Sequence, residues 1–335
     1  MNISEFAEYA GVSKSAVSRY FNNGYLSDDK REQIEKAIEE TGYSPSFSAR
    51  AVKTRVTKLV GVIIPSLSSE SCARITSGIS RILNEQGYQI LLANTSNDHN
   101  KEIEYLDLFR QNRVDGVIFL ATIFTETHRA VLKKMPIPVV IVGQQYKGYN
   151  CVCHDDFGAA YALTSLMLKR GAKKPAYIGV TDDDKAAGEA RHQGFLKALS
   201  DNGVSLDKHH IAAAEFSMDS GYSCAAKILS APSLPDCIFC STDNIAAGAM
   251  LYCRENNIKI PDNIMICGVG DSKIGAITAV PLTSARLHYY TAGAEAAQML
   301  LNGIARSSEV PKIMKLDYEI VERESTKRDT RYEIV

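Results

Sequence analysis

Residues 11–23 read GVSKSAVSRYFNN: a glycine, a run of small hydroxyls, a lysine and an arginine within thirteen positions. Just upstream, Ile3, Phe6, Ala7 and Ala10 recur on one helical face, with Asn2 in place as N-cap. Gly11 supplies a tight turn, and Val12 fills the gap beneath it. Ser13 then caps a second helix, in which Val17 and Phe21 point inward and Lys14, Ser15, Ser18, Arg19 and Asn22 point outward. Ser27, Asp28 and Asp29 open a third helix with the charge its dipole favours. Ile34, Ala37 and Ile38 form its inner face, and Thr41-Gly42 ends it. Two helices joined by a short glycine turn and braced by a third make a helix-turn-helix unit. Its outward side chains are the donor types that meet phosphates and base edges in a major groove. The same spacing also fits the solvated face of a plain helical cap.

Working outward, ISEFAEYAGVSKSAVSRYFNN (residues 3–23) resembles the N-terminal module of the lactose-repressor (LacI/GalR) family of bacterial transcription factors, with its A-x-x-A-G-V-S-x-x-T-V-S-R-x-x-N pattern. Ala16 stands where that family usually has threonine. The resemblance implies that Lys14 and Ser15 open a recognition helix and read bases, with Arg19 beside them. It implies phosphate contacts for Ser13, Ser18 and Asn22. The next stretch, PSFSARAVKTRVTK (residues 45–58), holds Arg50, Lys53, Arg55 and Lys58 and no acid. A helix of about nine residues is too short to persist alone in water, so this segment is expected to fold on its target. Its composition would equally suit a solvated linker. By resemblance it is a hinge helix that pairs with a partner's copy in the minor groove, with Arg50 and Lys53 against DNA. Val52 takes the wedge position where leucine is usual, one methylene shorter.

From Lys58 onward, apolar runs alternate with helical segments. KLVGVIIP, YQILLAN, DGVIFLAT and PVVIVG form one series; AYIGV, IAAAEF, DCIFCST and IMICGVG form another. Such near-continuous runs are the mark of parallel strands buried on both faces. The fold class is therefore an N-terminal all-α headpiece followed by an α/β core of two doubly wound parallel-sheet subdomains with a cleft between them. Resemblance makes this core periplasmic-binding-protein-like, with YEIVERES as its final strand and chain crossings near 157, 287 and 317. The expected organisation is headpiece 1–44, hinge 45–58 and core 59–335. The core divides into a first half of about 59–157 with 288–316, and a second of about 158–287 with 317–330.

Several classes fall away. The 335 residues carry a net charge of −1, and no apolar run approaches the ~18–20 residues of a membrane span. MNISEFAEYAG lacks a basic flank and apolar core, so a cytoplasmic protein is expected. Cys237-x-x-Cys240 and Cys151-x-Cys153 could mark a metal or redox site, but no second C-x-x-C completes a zinc set. Both pairs read better as small apolar residues in buried strands. GVGDSKIG is not a dinucleotide fingerprint, no Walker lysine follows it, and neither G-x-S-x-G nor H-E-x-x-H occurs. No enzyme, cofactor or metal is expected.

A cleft that binds without reacting remains. By resemblance Arg191, in A-R-H-Q-G-F, holds effector hydroxyls. Thr242-Asp243 takes the place of the family's N-D pair, and Asp271 in G-V-G-D-S stands where the family has G-[FY]-D-[DN], with Gly270 replacing the first acid. Ser66, Glu70, Gln144 and Gln145 follow strands of the first series and are expected to face the cleft from the other side. I-I-P-S-L-S-S-E-S, A-T-I-F-T-E-T-H and D-K-A-A-G-E-A-R resemble the branch that includes sucrose and trehalose repressors. Arginines that a phosphate clamp would need are absent at Ser66 and Gln144, which favours an unphosphorylated disaccharide such as sucrose. Paired half-sites call for a homodimer on a palindromic operator, and the tail KRDTRYEIV has no leucine heptad for a tetramer. Alternatives are a global catabolite regulator with a phosphocarrier partner and a sugar-binding protein that does not bind DNA.

Overall fold

The computed structural model describes residues 1–21, 24–43, 56–305 and 310–328. Of the residues expected to touch DNA, Asn22, Arg50, Val52 and Lys53 lie outside the described residues. The chain divides into two compact units, Met1–Lys58 and Leu59–Val335.

The first unit contains α1 (Ile3–Tyr9), α2 (Lys14–Phe21) and α3 (Asp28–Thr41). Asn2 closes a capping box, its side chain accepting from the Ser4 and Glu5 amides while Glu5 reaches back to the Asn2 N–H. Gly11 turns the chain at φ 66, and the Ala16 amide donates to Ser13 Oγ at 3.2 Å. Ser27 occupies the N-cap of α3 but makes no capping bond, so Asp28 and Asp29 alone supply favourable charge in the first turn. Gly42, at φ 62, ends α3 in the left-handed conformation that glycine adopts most readily. Phe6, Val17 and Ile34 are fully buried, and Phe6 stacks on Tyr43 with ring centroids 4.0 Å apart.

The second unit is built on two six-stranded sheets. The first contains β1 (Leu59–Ile64), β2 (Gln89–Asn94), β3 (Gly116–Leu120), β4 (Val139–Val142) and β5 (Asn150–His154). Its helices are α4 (Glu70–Glu85), α5 (His99–Gln111) and α6 (Glu126–Leu132). The chain then passes through α7 (Asp156–Lys169) to the second sheet. This comprises β6 (Pro175–Gly179), a π-helical turn (Lys185–Ala190), α8 (Arg191–Asp201), β7 (Ile211–Ala213), α9 (Met218–Leu229), β8 (Cys237–Cys240), α10 (Asp243–Glu255), β9 (Met265–Val269), α11 (Lys273–Ile277) and β10 (Thr283–Leu287). It returns through α12 (Tyr289–Ala305) to β11 (Ile313–Leu316) of the first sheet, and crosses again at Asp317 to β12 (Tyr318–Val321) of the second. The strand orders are β11-β5-β4-β3-β1-β2 and β12-β10-β9-β8-β6-β7.

Each sheet carries an apolar cluster on both faces, which is why the strand runs are continuous rather than alternating. One expectation needs correction: the final strand β12 pairs antiparallel with β10, so the second sheet is not purely parallel. A single residue, Asp317, separates β11 from β12, so the chain reaches the second sheet's edge with no crossover element to reverse its direction. Cys237 and Cys240 sit on β8 but belong to clusters on opposite faces of the sheet. They therefore cannot share a metal, and all eight cysteines are buried free thiols.

Glycines set the closest helix approaches. A Cβ on Gly78 of α4 would meet the Tyr290 carbonyl of α12 at 2.1 Å, and one on Gly194 of α8 would meet the Phe157 carbonyl of α7 at 2.2 Å. Both contacts are with main chain, so the helices themselves must part. Gly78→Ala or Gly194→Ala is expected to cost about 1–3 kcal/mol by overpacking, despite alanine's better helix propensity. Calorimetric melting checks this, with exposed Ser77→Ala as a control expected to stay within about 0.5 kcal/mol.

Candidate functional site

On α2 the recognition-type residues divide by burial. Lys14, Ser15 and Arg19 are exposed together with Ser13, Ser18 is part-buried, and Ala16 and Val17 face the headpiece core. Ser13 both caps the helix and lies 2.9 Å from Ser15 through their hydroxyls. Ala16 is 3 % exposed, so its departure from threonine removes a hydroxyl from the buried side and leaves the outward donor set unchanged.

In the second unit the carboxyl ends of both sets of strands open onto one cleft of about 1060 Å³. Its floor is built around Arg191. Burial opposes the charge of this guanidinium, yet Asp156 raises its pKa above the ordinary arginine value. Nε and Nη2 donate to Asp156 Oδ1 at 2.9 and 2.7 Å, and Nη1 donates to the Ser241 carbonyl. Arg191 reaches that position because the π-helical turn adds a residue to the helical path before α8. Asp184 caps this turn, accepting from the Ala186 and Ala187 amides at 2.9 Å each, and burial pushes its carboxyl upward. Tyr289 lies beside Arg191, its phenol pushed up to about 12 by burial.

The other predicted positions separate into different roles. Ser66 lines the cleft and exchanges a 2.9 Å hydrogen bond with Ser68. Glu70 lines it too, but its carboxylate is held by Arg74 at 2.6 Å and by the Lys273 amide at 3.0 Å. Thr242 lines the cleft and caps α10, its hydroxyl accepting from the Ile245 amide. Asp243 is 2 % exposed and accepts from the Ser272 amide and the Ser284 hydroxyl, both at 2.6 Å; burial raises its pKa.

Three expectations are corrected. Gln144 is buried and spans the two halves, donating through Nε2 to Asp184 Oδ1 at 3.2 Å and to the Thr122 carbonyl while Tyr146 donates to its oxygen. Gln144 and the exposed Gln145 line a smaller neighbouring cavity of about 290 Å³ rather than the main cleft. The Asp271 side chain is absent from the cleft wall. Burial would raise its pKa, but ion pairs to Arg323 at 2.6 Å and Arg286 at 2.7 Å prevail and lower it.

Sequence reading missed Asp156, Asp184, Arg74, His154 and Tyr289. Asp156 follows the apolar strand CVCH at a helix start, where an acid reads as ordinary dipole compensation. His154 Nε2 is buried with no hydrogen-bond partner, and burial lowers its pKa. Around the main cleft stand five carboxylates (Glu70, Asp156, Asp184, Glu215, Asp243) and two guanidiniums (Arg74, Arg191), with no lysine among the described residues.

Residues 2–46 match the family described as bacterial regulatory proteins, lacI family. Residues 57–324 match that described as periplasmic binding proteins and sugar binding domain of the LacI family. The chain is similar to the HTH-type transcriptional regulator RegA of Clostridium saccharobutylicum, 29% identical over 97% of this chain and 99% of the relative. It is similar to the sucrose operon repressor of Staphylococcus xylosus, 29% identical over 89% of this chain and 92% of the relative. Among solved structures it is similar to a transcriptional regulator CelR–cellobiose complex, with TM-score 0.75 and 25% identity over 97% of this chain and 99% of that one. With a helix-turn-helix headpiece and a two-sheet core both matched, the chain belongs to the LacI family of DNA-binding transcriptional regulators, and it is not an enzyme.

Proposed function

We propose that this regulator represses a carbohydrate-utilisation operon as a homodimer on a palindromic operator, and that an uncharged, sucrose-like disaccharide in the core cleft releases it. The observation that carries the ligand class is the state of the two guanidiniums at the cleft. Arg191 is engaged by Asp156 and the Ser241 carbonyl, and Arg74 by Glu70 and two main-chain oxygens. Among the described residues lining the cleft, a phosphorylated sugar would find no free cation to clamp it and a surplus of carboxylates to repel it. Sugar hydroxyls, by contrast, can donate to Asp184 and His154 Nε2 and pack on the half-exposed ring of Phe216. The relatives named as a sucrose operon repressor and as a cellobiose complex support a disaccharide.

In this reading Lys14, Ser15 and Arg19 read bases, Ser13, Ser18 and Asn22 hold phosphates, and Arg50, Val52 and Lys53 work in the minor groove. The dimer forms through α4, α9 and α10, the cytoplasm being where such a protein meets the chromosome. Sugar in the cleft turns the first halves across the dimer interface and separates the paired hinges. Linkage then requires operator and sugar to weaken each other's binding by one common factor.

Fluorescence anisotropy on a labelled palindromic duplex from the gene's own upstream region tests this at fixed salt. Sucrose is expected to reverse specific binding and sugar phosphates to leave it unchanged; reversal by a sugar phosphate alone would overturn the ligand class. Arg191→Ala is expected to abolish the sugar response and, by stranding Asp156, to cost about 3–5 kcal/mol of stability. The double variant Arg191→Met with Asp156→Leu should recover most of that stability and none of the response. Lys14→Ala is expected to relax discrimination at one base position per half-site by about 1–3 kcal/mol. A uniform loss over all sequences would instead make Lys14 a phosphate contact.

A further inference from the structure

Arg74 belongs to α4 of the first half, and its guanidinium reaches the loop after β9 in the second. Nη1 donates to the Gly270 carbonyl at 3.2 Å and Nη2 to the Asp271 carbonyl at 2.9 Å. Glu70, one turn earlier on the same helix, holds Arg74 Nη2 at 2.6 Å. Its other oxygen accepts from the Lys273 amide at 3.0 Å, again across the cleft. Two neighbouring side chains of one helix thus grip three main-chain groups of the opposite wall.

Both ends of this grip are rigid for separate reasons. Gly78, the next turn of α4, is seated against the main chain of α12. The loop is tied down wholly within its own half: Gly270 N to the Ala285 carbonyl, Asp271 N to Ser284 Oγ and Ser272 N to Asp243 Oδ2. Asp271 sits at φ 47, a left-handed conformation unusual for a side chain other than glycine. Arg286 and Arg323 hold its carboxylate and so stabilise that conformation. The loop therefore presents the carbonyls of residues 270 and 271 to Arg74 whether or not Arg74 is there.

We propose that Arg74, braced by Glu70, is a latch that holds the two walls of the cleft together and so acts as a positioning residue for the effector response. A ligand must wait for the latch to open, and its apparent affinity and entry rate carry the cost of the unlatched fraction. That consequence rests on reading the cleft as the effector site, whereas the latch itself is testable with no ligand present.

Three consecutive amides provide the test. The Lys273 N–H bonds an acceptor in the other half, while those of Asp271 and Ser272 bond acceptors in their own half. Residue-resolved hydrogen exchange on the ligand-free full chain is expected to show Arg74→Ala lowering Lys273 protection by about ten-fold or more, with Asp271 and Ser272 changed by less than about two-fold. Arg74→Lys, which keeps the charge but cannot fork to two carbonyls, should fall between the wild type and Arg74→Ala. Unchanged Lys273 protection in Arg74→Ala would overturn the latch, since the hold between the two walls would then not depend on Arg74. Equal loss at all three amides would also overturn it, since Arg74 would merely be supporting the loop. Neither result bears on which sugar binds, so the ligand reading stands or falls on the anisotropy titration alone.

Discussion

Arg191 and Asp156 form a salt bridge in which both side chains are nearly buried. Asp156 is the first residue of the helix that carries the chain out of the first sheet, and Arg191 is the first residue after the π-helical turn of the second. A third contact ties Arg191 to the end of β8 through the Ser241 carbonyl. Taking such a pair out of water is expensive, so its geometry must be held by everything around it. Asp184 caps the turn, Gly194 lets α8 lie directly on α7, and Tyr289 lines the cleft beside Arg191. The cleft floor is thus fixed by a pair that already satisfies itself, so Arg191 lines the cleft without presenting a bare charge.

The same logic governs the loop after β9. Asp243 and Asp271 are both acids at the ends of strands, and spacing alone does not distinguish them. The structure gives each a different neighbourhood. Asp243 is sunk among a hydroxyl and an amide that hold the loop, while Asp271 turns outward to two arginines. Their side chains organise backbone, and that backbone is what faces the opposite wall.

Much of the fold was legible because burial on both faces leaves a strong mark. LVGVII, GVIFL, VVIV, CIFC and MICGV are all strands, and helical spacing with caps defined the three headpiece helices. The edge strand β11, IMKL, carries an exposed-and-intermediate pattern that no apolar run betrays, and the antiparallel direction of β12 has no local signature. At the site, Arg191 was legible through its motif. Asp156 and Arg74 were not, because their meaning lies in partners 35 and nearly 200 residues away. A lone arginine on an amphipathic helix reads as a solvated one until the opposite wall is in view.

The two strand orders match element for element: β1 with β6, β2 with β7, β3 with β8, β4 with β9, β5 with β10, and β11 with β12. The glycine contacts obey the same correspondence. Gly78 meets the second residue of α12, and Gly194 the second residue of α7. In each case the helix being met follows a strand of the other sheet, so each half has lent the other one helix. The core is therefore two interlocked copies of one architectural plan rather than two beads on a string. No single cut in the chain can release either half with its own sheet and its own helical cover complete.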